Sequence, residues 1–212
     1  DAWRERTVVI TFDDGYVDNL AAVEALRQRE MRASWFIVSG AIGKPPDWPD
    51  SGRPTGRLLN ANELRDMDRA GMEIGSHTVN HIRLPEAEDA TVMRELSASK
   101  ATLEDLLGKP VESFAYPYGA WNEHCEAAVQ KAGYHYACTT RTGWALRDGN
   151  PYRLRRLTVF NDDTTGSFAR KLALITNDAR WNFVLRYAVG RAVARLPIRV
   201  GRRTGKITHE SK

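Results

Sequence analysis

Short β-branched or aromatic runs alternate with segments of helical period along most of this 212-residue chain, and several of the runs end on polar clusters. Val8-Val9-Ile10 reads as a first strand leading to Asp13-Asp14-Gly15, and Leu20, Val23 and Leu26 then recur at helical spacing. Ser34 to Val38 reads as a second strand, and residues 39–57, rich in Gly and Pro and holding Trp48, as a long loop of the kind that lines sites or wanders over a surface. Asn60 with Glu63 makes a capping box for a helix to Ala70, stopped by Gly71, and Met72-Glu73-Ile74 follows as a strand. A long helix fits 86–107, closed by Gly108 and Pro110; then come a strand at Ser113 to Tyr116, a helix near 122–132 and a strand from Tyr134 to Thr139. This alternation predicts βαβ units and a mostly parallel sheet. In such folds the carboxyl ends of the strands converge on one face, where active sites form. Asp13-Asp14, His77 and Tyr118-Gly119 all fall just after predicted strands, so residues far apart in sequence can meet there.

His77 and His81, four residues apart, can share one face of a turn and bind one cation. A carboxylate from another strand end would complete three ligands and leave open positions for water and substrate. Two imidazoles and one carboxylate suit zinc or another first-row divalent ion such as cobalt, nickel or manganese, and suit calcium or magnesium poorly. A cation held in this way acidifies a water and polarises a carbonyl.

Three segments, Thr11-Phe12-Asp13-Asp14-Gly15, Ser76-His77-Thr78-Val79-Asn80-His81 and Phe114-Ala115-Tyr116-Pro117-Tyr118-Gly119, together resemble the polysaccharide deacetylases, the NodB-homology group, in order and spacing over residues 7–159. The third segment places the chain with an FAYPYG-type subgroup. The resemblance implies an α/β fold, a distorted (β/α) barrel with fewer than eight strands. It implies that Asp14, His77 and His81 hold one divalent metal, that Asp13 is the general base on a water, and that the backbone N–H of Tyr118 faces the oxyanion. The activity implied is removal of N-acetyl groups from N-acetylhexosamine units of a polysaccharide or glycan precursor.

The chain departs from the family pattern twice. Many members carry in the third motif an arginine that holds the catalytic aspartate; here that position is Ala115. Arg156, in Leu154-Arg155-Arg156-Leu157, which looks like a final strand motif, is a candidate replacement beside an ordinary surface role. Many members also end a late strand in His-Asp, whose histidine protonates the leaving amine. His124, His135 and His209 sit in other contexts, so that proton is expected from another group or from Asp13 itself. Tyr116, Trp121 and Trp144 are candidates to bind the sugar, since aromatic rings stack on sugar faces, though they also fill cores.

The net charge of +4 is unevenly spread: residues 168–212 hold eleven Lys and Arg against two acids, so the basicity belongs to the tail and not to the catalytic body. A barrel over 1–167 is expected, with a basic helical extension over 168–212 that packs on it or lies on an anionic membrane surface. Arg186, Arg191 and Arg195 there interleave the apolar residues Trp181, Phe183, Val184, Leu185, Tyr187, Val189, Val193 and Leu196. No recognised module accompanies this charge, which argues against nucleic acid as a partner. Cys125 and Cys138 read as buried free thiols. No basic-then-apolar leader opens the sequence and no stretch reaches the roughly 20 apolar residues of a span, which favours a cytoplasmic site unless the N-terminus was trimmed. Two other readings stay open: deacylation of a small amide such as an aminosugar conjugate, and a metal-containing sugar-binding protein without turnover.

Overall fold

The computed structural model describes residues 7–48 and 56–178. Two compact units divide between Thr158 and Val159. In the first, five parallel strands lie in the order of the sequence: β1 (Thr11–Phe12), β2 (Ser34–Ile37), β3 (Glu73–Ser76), β4 (Ser113–Ala115) and β5 (Tyr136–Cys138). Between them run α1 (Leu20–Arg27), α2 (Ala61–Arg69), α3 (Asp89–Leu107) and α4 (Glu123–Lys131). The sheet curls into an incomplete barrel, because the segment paired beyond β5 reaches back to β1. Leu154 forms a parallel bridge with Cys138, and two residues on, Arg156 hydrogen bonds Thr11 across 145 positions. The expected final strand is thus a single bridge, and the side chain of Arg156 spans what further strands would otherwise close.

Local chemistry sets the element ends. Asn60 accepts from the backbone N–H groups of Asn62 and Glu63 while Glu63 accepts from the Asn60 N–H, the reciprocal capping box the sequence predicts. Gly108 closes α3 in the left-handed region at φ 68°. The first strand lies later than expected, at Thr11–Phe12 and not Val8–Ile10: Val8 and Val9 are 61% and 63% exposed, and the ladder to β2 begins only where the Ile10 carbonyl accepts from Ser34 N–H. β1 has one neighbour in the sheet, so β-branched composition there marks extended chain and not burial.

Two apolar layers flank the sheet. The outer one packs Trp35, Ile37, Phe114 and Tyr116 against Leu64, Met67, Val92, Leu96 and Val129 of the helices, with Phe12 stacked on Trp35 at 4.5 Å. The inner one fills the barrel with Phe36, Ala115 and Cys138. Space there is so short that a Cβ on Gly75 would fall 2.4 Å from Ser113 Oγ and 2.7 Å from the Phe36 ring, so β3 carries a glycine at the crossing. Both cysteines are buried and free.

The second unit contributes α5 (Thr165–Leu174), capped by Thr164 and braced by a buried ion pair of Lys171 with Asp163. No helix among the described residues is long and apolar enough to cross a membrane. The basic segment from residue 180, with Trp181 to Arg195 and His209, lies outside the described residues.

Candidate active site

The strand ends bring the polar clusters together as the parallel topology requires. After β1 the chain turns sharply, with Asp14 at φ 70° and Gly15 at φ 89°, which drives the Asp14 carboxylate inward to 3% exposure. After β3, Thr78 and His81 also adopt positive φ, 66° and 54°, and fold the loop back so that both imidazoles face Asp14. Oδ1 of Asp14 lies 3.3 Å from Nε2 of His77 and 3.2 Å from Nε2 of His81, and one donor atom from each residue falls within 4.8 Å of the others. Left-handed backbone at a non-glycine residue costs about 1–2 kcal/mol, so the surroundings hold this arrangement against local preference.

Those surroundings are specific. His77 donates Nδ1–H to the Ala115 carbonyl at 2.7 Å; a carbonyl only accepts, so the contact fixes the tautomer and leaves Nε2 toward Asp14. Ala115 thus orients His77 through its backbone carbonyl. The ring of His81 lies between Trp48 and Tyr118, each with its centroid 4.5 Å away. Glu95, 3% exposed on α3, accepts from the N–H groups of Val79 and Asn80 at 2.9 Å each and from Nδ2 of Asn80 at 2.6 Å. Thr78 Oγ1 accepts from His81 N–H, and Ser99 Oγ donates to the Thr78 carbonyl. The donor set, its burial and this scaffold fit one first-row divalent ion.

Asp13 is held by a different device. Nη1 and Nη2 of Arg156 donate to its two carboxylate oxygens at 2.7 and 2.8 Å, while Nη1 also reaches Thr11 Oγ1 and Nε donates to the Thr139 carbonyl. Burial pushes the Asp13 carboxyl up, but the charge and paired hydrogen bonds of Arg156, with His77 adding, hold it below its ordinary value.

After β4, Tyr118 sits at φ 58° and Gly119 at φ 66°. A Cβ on Gly119 would fall 1.9 Å from Thr140 Oγ1, so this turn presses directly on the segment after β5. The three aromatic candidates separate. Trp144 is 63% exposed, and Trp121 is half-buried with Arg153 over its ring at 4.9 Å and Arg141 at 5.8 Å. Tyr116 does not meet the expectation of a sugar contact: it is fully buried, edge-on to Phe114, with its hydroxyl donating to the Tyr152 carbonyl. His124 pairs with Asp89 and His135 lies near Glu112, both exposed and apart from this cluster.

Glu95 and Trp48 are the residues that sequence reasoning does not single out as site members. For Glu95 a signal exists, because the buried stripe of α3 runs Val92, Glu95, Leu96, Ser99, Leu103, with a carboxylate and a hydroxyl where apolar side chains belong.

A family model described as polysaccharide deacetylase matches residues 2–137. A Bacillus subtilis (strain 168) protein, YxkH, named for the polysaccharide deacetylases, is 31% identical over 156 residues, covering 73% of this chain and 52% of its own length. The poly-beta-1,6-N-acetyl-D-glucosamine N-deacetylase of Staphylococcus aureus (strain MSSA476) is 26% identical over 170 residues, 74% of this chain and 56% of that protein. The chain therefore spans about half the length of the curated relatives it matches. A solved polysaccharide deacetylase from Bacillus cereus superposes with TM-score 0.65 at 25% identity, over 77% of this chain and 50% of that one. The Streptococcus pyogenes deacetylase PplD, solved in complex with acetate, shares the fold at TM-score 0.66 and 24% identity, over 75% of this chain and 67% of that one.

Proposed function

Since the chain belongs to the polysaccharide deacetylase family, we propose that it is a metal-dependent hydrolase that removes N-acetyl groups from N-acetylhexosamine units of a polysaccharide or glycan precursor. The observation that carries this reading is the buried cluster of Asp14, His77 and His81 beside an aspartate, Asp13, gripped by Arg156. Asp14, His77 and His81 would hold the metal, which supplies an acidified water and polarises the acetyl carbonyl when bound.

The remaining chemistry belongs to the chain. Asp13 takes a proton from the attacking water at its carboxylate and returns it to the amine nitrogen as the C–N bond breaks, so that acetate and a free amine leave. Arg156 keeps Asp13 ionised and fixes both of its oxygens, so its orientation needs no search at the moment of reaction. The backbone N–H of Tyr118, in the turn after β4, donates to the oxygen on which negative charge develops. Trp144, which is exposed, offers a ring face to the sugar, and Trp121 an edge beside the guanidiniums over its ring. A second reading, a metal-containing sugar-binding protein without turnover, draws on the placement of His124 and His135 beside surface carboxylates, away from the cluster.

Acetate release from a panel of N-acetylated oligosaccharides and small aminosugar conjugates, with and without chelator, tests the proposal. Chelator-sensitive release from the oligosaccharides is the expected result. Sugar binding without release would favour the second reading, and release from the conjugates alone would make the substrate a small amide.

A further inference from the structure

The loop after β5 is out of character with the body that carries it. Residues 140–157 hold five arginines and one acid, Asp148, whereas the first 167 residues as a whole hold twenty Lys and Arg against twenty-five acids. Much of that local charge is consumed. Arg156 is forked onto Asp13, Arg155 takes both oxygens of Asp148 at 2.9 and 2.8 Å, and Arg153 pairs with Glu126 at 2.6 Å.

Two guanidiniums at the third-motif turn are not consumed in this way. Arg141 comes only within 3.7 Å of Asp148, which Arg155 already occupies, and Arg83 only within 4.0 Å of Glu86, which is itself 73% exposed. Their side chains are 45% and 49% exposed. Each instead lies over an aromatic ring of the same turn: Arg83 over Tyr118 at 4.4 Å and Arg141 over Trp121 at 5.8 Å. Tyr118 in turn packs its ring on His81, so Arg83 stands one ring away from the metal-site cluster. A guanidinium laid over a ring keeps its N–H edges free to point outward, and that planar fork matches a carboxylate.

We propose that Arg83 and Arg141 form two anion subsites at either end of the Tyr118–Trp121 turn, which select glycans carrying carboxylate-bearing sugars next to the N-acetylhexosamine that is hydrolysed. This deepens the deacetylase reading and rests on it. The rings hold the two guanidiniums in place, and the arginines read the charge of the neighbouring units, a contact that a neutral glycan does not make. At the rim of a net-acidic body, two weakly neutralised cations also steer anionic chains toward the site and away from the surrounding surface.

The test uses the full chain, zinc-loaded, with two oligosaccharides of equal length: one all N-acetylglucosamine, the other N-acetylglucosamine alternating with glucuronate. Binding is measured by calorimetry and acetate release by kcat/KM, each for the native chain and for Arg83→Gln, Arg141→Gln and the double variant. The native chain is expected to prefer the uronate oligomer by about tenfold or more, from about threefold to fivefold per exposed ion pair. That preference should shrink as salt is raised from 0.05 to about 0.5 M. The ratio between substrates should approach one in the double variant; taking a ratio cancels any general loss from disturbing Tyr118 or Trp121. Equal or better handling of the neutral oligomer by the native chain would overturn the subsites, as would a preference that survives the double substitution. Uronate binding that depends on both arginines, with no acetate released from either oligomer, would support the subsites while refuting the deacetylase reading.

Discussion

Replacing Glu95 by alanine removes the acceptor for three donors of the loop that carries both candidate histidine ligands. A hydrogen bond to a charged acceptor contributes about 1.5–3 kcal/mol, and a buried donor left without one costs a similar amount. Val79 is half-buried and Asn80 exposed, so water can replace part of the loss; a net destabilisation of about 2–4 kcal/mol follows for the variant. At roughly 2–4 °C per kcal/mol for a unit of this size, the metal-free melting temperature should fall by about 5–15 °C. The more telling consequence is local. Thr78 and His81 sit in left-handed backbone, and without its anchor the loop can relax from that strain and carry the His81 ring out of line with Asp14. Loss of an outer support for a metal ligand lowers affinity by about 10- to 100-fold, so zinc affinity, measured by competition with a chromophoric chelator, should fall by that factor. Glu95→Gln, which keeps a carbonyl acceptor, should recover part of the affinity. If Glu95→Ala melts earlier but binds zinc within about twofold of the native chain, Glu95 is a fold-stabilising residue and the positioning argument fails.

Asp13→Asn should lower kcat by at least about 10²-fold while metal content, read by elemental analysis, stays near that of the native chain; loss of the metal together with activity would place Asp13 among the ligands. Arg156→Lys keeps one positive charge but cannot fork onto both Asp13 oxygens, and is expected to reduce kcat well beyond any change in KM; native kcat in that variant would make the fork dispensable. For the second unit the hydrogen bond from Lys171, with the Phe160 N–H and Ser167 helping, holds the Asp163 carboxyl at about 2 against an ordinary 3.8. A folded value below the unfolded one means the stabilisation is complete above the ordinary value and disappears as pH falls toward 2. Thermal melts at pH 6 should therefore separate the native chain from Asp163→Asn, and melts near pH 2 should bring them together; a gap that widens on acidification would contradict this.

What the amino-acid sequence reveals of this fold and site divides along physical lines. Features set by neighbours along the chain are legible in it: the Asn60–Glu63 box, Gly108 at the end of α3, and the placement of Asp13-Asp14, His77 and Tyr118 after strands. Features set by the sheet's edges and faces are not. Val8 and Val9 have the composition of a core strand yet lie where β1 has one neighbour. Tyr116 has the chemistry of a sugar contact, but strand alternation sends Ala115 into the barrel and puts Phe114 and Tyr116 into the helical layer. The grip of Arg156 on Asp13, 143 residues away, is legible only as a candidate, from Leu154-Arg155-Arg156-Leu157 and from Ala115 standing where the resemblance leads one to expect arginine. Glu95 is hidden because a carboxylate on a helix is ordinarily assigned to solvent.

Arg156 also ties competence to the order in which the chain is made. A polypeptide leaves the ribosome N-terminus first, so β1 to β5 can pair and the Asp14, His77 and His81 donors can assemble before residue 156 has docked. Such an intermediate would hold a metal beside an aspartate that nothing orients. The contact that ties residue 156 back to β1 and the grip on Asp13, the proposed base, are one event, since the same guanidinium makes both. On the proposed deacetylase reading, a nascent or partly unfolded chain would lack an oriented base, and loosening of the segment at Leu154–Arg156 should abolish acetate release before it unfolds the barrel.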